Sequence, residues 1–240
     1  SKYKIKRMNK TFHKNSLTLF LISLTFFIGK WLISFIFYSQ EDLILKIIND
    51  SYQDSSMYFH YVKSFSDLNF NENFNSLVFG NKYLAYPVGS IIFHSILYKL
   101  IGITSFIILE LVSIFIFLLI FYLIFKQFKI SDLSSIFLAS FMFVLPIIIE
   151  ELNFFDIAEV NTFAKNFYNL RFPRPLVSKL YFFIFILISI ISFRDDKMLK
   201  LKYLMPLGLI MSLSLSSFFF IFFTQIFTFF FLLIIKYKKN

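Results

Sequence analysis

The sequence predicts an all-α protein: a polytopic membrane helical bundle of about six spans plus one interfacial helix. Three observations predict it. Hydrophobic residues make up 58% of the chain, against roughly 45–50% in ordinary soluble domains, and the mean hydropathy is +0.73. The excess is gathered into runs such as 16–38 and 103–125, and crossing ~30 Å of hydrocarbon takes about 20 apolar residues. The charges are sorted as well. Basic residues crowd the short segments beside apolar runs, and acidic residues crowd two longer polar segments.

The net charge of +10 follows from that sorting. Lys2, Lys4, Lys6, Arg7, Lys10 and Lys14 precede the first run, Lys126 and Lys129 separate two runs, and Arg194, Lys197, Lys200 and Lys202 separate two more. Lys236, Lys238 and Lys239 end the chain. Short basic loops of this kind mark the cytoplasmic side of a membrane protein, so the charge implies a bilayer and no nucleic-acid partner. With no cysteine, disulfides and thiolate metal sites are excluded. His13, His60 and His94 form no close-spaced ligand pair. The 39 Phe, with abundant Ile, Lys and Asn, reflect AT-rich coding, so single Phe positions carry no functional weight. Composition and the lack of Cys lean toward a bacterial plasma membrane.

The elements follow in order. Residues 17–38 form the first span. A basic segment precedes it as in a signal peptide, but the run is too long for a signal core and lacks a small-residue cleavage site. It reads as an uncleaved anchor with a cytoplasmic N-terminus. Residues 39–85 are polar and acidic, a first outer loop. Residues 87–101 carry Pro87, Gly89, His94 and Lys99 and are short for a span. If they crossed, Lys126 and Lys129 would end up outside, so they are expected to lie in or dip into the outer interface. Residues 103–125 then run inward, 133–149 outward, and 150–176 form a second outer loop. Residues 177–193 return inward. The last apolar stretch, 203–235, would be ~50 Å as one helix, too long for the bilayer even when tilted. Two helices, 203–215 and 218–235, turning near Ser212–Ser217 on the outer side, satisfy the basic flanks at both ends.

The outer loops hold the residues able to do chemistry. Asp54, Tyr58 and Tyr61 are spaced i, i+4, i+7, which in a helix gives them one face. A carboxylate beside aromatic rings suits a sugar: rings stack on its apolar face and the carboxylate takes a hydroxyl proton. The alternative is a solvated loop in which Asp54 caps a helix. Next come Tyr83-Leu84-Ala85-Tyr86-Pro87-Val88-Gly89, then Asp156-Ile157-Ala158-Glu159, then Arg171-Phe172-Pro173-Arg174-Pro175.

Together these stretches resemble the GT-C superfamily of membrane glycosyltransferases, which includes protein mannosyltransferases, aminoarabinose transferases and oligosaccharyltransferases. The resemblance spans the chain in layout and only short stretches in residues. It implies an inverting transferase that takes a sugar from a polyprenyl-linked donor on the extracytoplasmic side. It implies an essential Asp in the first outer loop, matched by Asp54 with Asp50 as second choice. It further implies a Tyr-Pro element opening the next helix, matched by Tyr86-Pro87, and a second acidic site matched by Asp156 or Glu159. Arg171 or Arg174 would hold the donor phosphate. Some members use a divalent metal and others do not, which leaves the cofactor open. Members often have more spans and a soluble outer domain, so the chain is expected to be the N-terminal part of a longer enzyme. A transporter or flippase component would call for broken helices and polar residues near the midplane, and a non-catalytic scaffold would give Asp54 no special weight.

Two charges fall inside the spans. Lys30 and Glu110 each lie roughly 10–12 Å below the outer surface at 1.5 Å per residue. Charges at that depth face a partner or a wet cavity, which makes the two a candidate pair. The bland reading is that Lys30 snorkels beside Trp31 and Glu110 is protonated.

Overall fold

The computed structural model describes residues 2–37, 61–68, 87–152, 174–194 and 200–238. Among them are α1 (Lys2–Phe37), α2 (Val88–Ile101), α3 (Thr104–Gln127), α4 (Asp132–Leu152), α5 (Arg174–Arg194), α6 (Leu201–Leu215) and α7 (Phe219–Lys238). A further helical segment covers 61–66, and no strand occurs among the described residues. Each expected apolar run is a helix, with ends close to those read from the sequence. The first differs most: α1 is continuous from Lys2, so its basic leader is helical too. The long last run is broken, at 216–217.

The bundle is organised around α3, which packs against α1, α2, α4 and α5. Its sequence is apolar over most of its circumference, as a helix packed on several others requires, with Ile108 and Val112 left exposed. Phe106, Leu118, Phe117 and Phe121 are all buried on it. Phe117 meets Phe143 of α4 at 5.7 Å and Phe183 of α5 at 5.7 Å. The α1 register is fixed by Asn15, whose side-chain amide donates to the Tyr122 hydroxyl at 2.9 Å, and by Phe20 against Phe115 at 5.8 Å. Residue numbers rise along α1 as they fall along α3, so the two are antiparallel. At the Tyr122 end the network continues. The Tyr122 hydroxyl donates to Asp132 at 3.1 Å, and Lys126 pairs with Asp132 at 2.8 Å. Its hydrogen bond from Lys126 holds the Asp132 carboxyl below the usual carboxylate range.

The outside of the bundle is what a lipid solvent requires. Phe137, Leu133, Met205, Leu209, Phe227 and Phe231 are all exposed large apolar side chains, a surface that would aggregate in water. Among the described residues, three helices are long and apolar enough to cross a membrane: Thr104–Gln127, Leu176–Arg194 and Phe219–Lys236. The protein is therefore a helical membrane protein.

One region holds contacts that the expected layout did not include. The turn after α6 does not stand free at one end of the bundle. Ser217 is buried, and the Gly89 N–H donates to the Ser216 carbonyl at 3.3 Å. Ser178 beside it lies five residues before Phe183, which packs at the level of Phe117 and Phe121. At 1.5 Å per residue that sets the turn about 15 Å along α3 from Thr104. The cause is length, since α6 has 15 residues and reaches only ~22 Å. Helix α2, expected to lie in or dip into the outer interface, packs on the bundle. It buries Gly89, Ser90, Ile91, His94 and Ser95 against its neighbours and keeps Phe93, Ile96 and Leu100 outside.

Gly89 is what lets α2 come so close. A Cβ at this position would overlap the Leu213 backbone carbonyl, which has no freedom to rotate away. Gly89→Ala is expected to destabilise the protein by about 1–3 kcal/mol, the usual cost of overpacking. Thermal unfolding in detergent measures it, and an unchanged midpoint would mean that this contact is absent.

Candidate functional site: a buried polar junction beneath the two loop exits

Each of the two acidic loops leads into a helix that begins with the same pattern. Pro87-Val88-Gly89-Ser90 opens α2 and Pro175-Leu176-Val177-Ser178 lies in the first turn of α5. Proline suits a helix start because its missing N–H is one that the helix leaves unpaired there. Pro87 is the N-cap residue of α2. In both cases Ser follows three residues later, one turn into the helix.

The fold brings these two serines together. Ser90 Oγ and Ser178 Oγ are 3.3 Å apart, and Ser178 Oγ and Ser217 Oγ are 2.7 Å apart. Ser90 and Ser217 are also hydrogen-bonded. All three are buried. A hydroxyl donates once and can accept, so three in a ring satisfy one another without water. Buried in an apolar bundle, such contacts between helices contribute about 0.6–2 kcal/mol each.

Around this ring the other polar groups are held in turn. The Tyr181 hydroxyl donates to the Gly89 carbonyl. Gln225 of α7 is fully buried, and its amide donates to the Tyr181 carbonyl at 3.4 Å. The Gln225 side-chain oxygen has no hydrogen-bond partner. His94, one turn along α2 from Ser90, is 1% exposed with its ring 5.4 Å from that of Phe106.

Of the residues singled out from the sequence, Asp50, Asp54, Tyr58, Asp156, Glu159 and Arg171 lie outside the described residues. Arg174 begins α5, one turn before Ser178; its side chain is outside them too. Tyr61 starts the helical segment 61–66 and packs, partly buried, against the core together with Phe65. Val62 in that segment is fully buried and Ser66 is buried one turn later. This stretch of the first loop is therefore docked on the bundle. Among the described residues no group of three or more His, Asp or Glu could hold a metal ion.

The hydroxyl ring was not among the sequence candidates. The signal was present in the paired Pro-x-x-Ser helix starts, but single serines in apolar runs are common, and only the fold shows that two of them meet. Comparison with protein-family models, with curated proteins and with solved structures gives no match.

Proposed function

We propose that the chain is the membrane portion of a GT-C-type inverting glycosyltransferase, working on a polyprenyl-linked sugar donor at the extracytoplasmic side. The observation that carries this reading is the meeting of the two loop exits. The helices that follow the two acidic loops are bonded to each other in their first turns, through Ser90 and Ser178. Two loops that re-enter the bundle side by side can contribute to one site. The helix after the first loop opens at Pro87, where the family resemblance expects a Tyr-Pro element.

In this proposal the chemistry divides among the loops. The acceptor hydroxyl or amide attacks the anomeric carbon from the face opposite the phosphate. A bond forms from the acceptor to that carbon, the carbon–oxygen bond to the lipid phosphate breaks, and the acceptor proton passes to Asp54. Configuration inverts in the single displacement. Tyr58 and Tyr61 stack on the sugar, and Asp156 or Glu159 binds its hydroxyls. Arg171 or Arg174 offsets the charge of the departing lipid phosphate, the ionic hydrogen bond that a guanidinium suits best. The test is transfer of labelled sugar from a polyprenyl-phosphate donor by the purified full-length protein in lipid. Absence of transfer across donor lipids and sugars would overturn the reading.

A second reading has one observation in its favour. The start of α2 and the end of α6 meet well inside the bundle, as broken helices do in carriers that bind substrate at mid-depth. Proteoliposome experiments separate the two: a flippase moves the lipid-linked sugar across the bilayer with its bond intact, a transferase breaks that bond.

The proposed topology has six spans, a cytoplasmic N-terminus, and loops 126–132 and 194–202 in the cytoplasm. Since the chain is free of cysteine, Phe128→Cys can be probed alone. It is expected to resist a membrane-impermeant thiol reagent in intact cells and to react after permeabilisation. Labelling in intact cells would reverse the orientation.

A further inference from the structure

We propose that the Ser90–Ser178–Ser217 ring is a positioning element: it sets the spacing of the points at which the two outer loops re-enter the bundle. This rests on the transferase reading only for its consequence in turnover; the spacing itself is a property of the fold. Three separate segments converge on the ring, the first turns of α2 and α5 and the 216–217 turn. None of the three contacts is local, with partners 88, 127 and 39 residues apart. The backbone of Gly89 is fastened on both sides, its N–H to the Ser216 carbonyl and its carbonyl to the Tyr181 hydroxyl. The start of α2 is thus tied at once to α5 and to the α6–α7 turn.

The ring stands one helical turn from each loop exit. Ser90 is three residues after Pro87, the N-cap of α2, and Ser178 four after Arg174, the first residue of α5, a rise of about 5–6 Å. Displacement at the ring is passed to both exits through a single turn of helix, with little room to be absorbed. Groups that must hold a donor and a base within a fraction of an ångström are sensitive to this, and a shift of about 1 Å can cost 100-fold in rate. Because a hydroxyl ring is broken by losing any member, the three serines act as a unit.

The experiment uses the full chain in lipid nanodiscs and two readouts. The first needs no activity. Spin labels on Tyr86→Cys with Arg174→Cys, in this cysteine-free chain, report the spacing of the two exits. A single narrow distance is expected with the ring intact, and a broadened or displaced one with Ser178→Ala. Ser90→Ala should have the same effect, and the double variant should add little to either. The second readout is transfer kinetics without the labels. Ser178→Ala is expected to lower kcat by roughly 10- to 100-fold with the KM for the donor nearly unchanged. A merely structural role predicts instead a lower melting temperature with kcat per folded molecule intact. An unchanged spin-label distance in Ser178→Ala overturns the proposal. A changed distance in a protein that shows no transfer upholds the positioning role and overturns the transferase reading.

Discussion

Asp54→Asn is expected to lower sugar transfer by about two to four orders of magnitude, the usual contribution of a positioned general base, while the protein remains folded in detergent. Asn keeps the shape of the side chain and removes both charge and basicity, so an effect on rate without one on folding isolates the proton transfer. Asp50 stands four residues before Asp54, farther from Tyr58 and Tyr61, so Asp50→Asn is expected to have the milder effect. The measurement is turnover of the purified full-length variants with a lipid-linked sugar. Near-native turnover of Asp54→Asn would remove Asp54 from the role of base.

The helices were legible in the sequence because hydrophobicity over twenty residues is a strong signal and helix punctuation is explicit. Pro87 begins α2, and Gly102, with φ of 63°, separates it from α3. The serine-rich stretch 212–217 was a visible place for the last run to break, and it broke there. The depth of that break was not legible. It depends on how far α6 rises beside α5, which is settled by contacts such as Ser178 with Ser217 between residues distant in sequence. The packing of α2 on the bundle was hidden for a similar reason. Its short apolar run fits an interfacial helix as well as a buried one, and Gly89 shows its purpose only when the Leu213 carbonyl is found against it. The loop candidates rested on residue type and spacing, and of these only Tyr61, docked on the core, has a described side chain. What the fold added is the relation between the loops: the helices that follow them start side by side.

Neutralising Glu110 alone is expected to destabilise the protein by about 3–5 kcal/mol, the cost of stranding one partner of a buried ion pair, and neutralising Lys30 alone should do the same. Glu110 is 6% exposed on α3, a surrounding in which a lone carboxylate would be costly. The antiparallel register of α1 and α3, set by Asn15 on Tyr122 and Phe20 on Phe115, carries forward to this level. Extended ten residues along α1 from Phe20, it places position 30 opposite position 106, about 6 Å from the level of Glu110. That gap is within the span of a lysine side chain. The far part of α1 also approaches the correct face of α3. Phe26 contacts Phe143 at 5.0 Å, which contacts Phe117, and Phe117 lies on the same helical stripe as Glu110, seven residues along. The double variant Lys30→Met with Glu110→Gln should recover much of the loss, because it removes both charges and leaves neither exposed to low dielectric. A double-mutant cycle on thermal stability in detergent reads the coupling directly. Additive single effects would mean that the two do not touch.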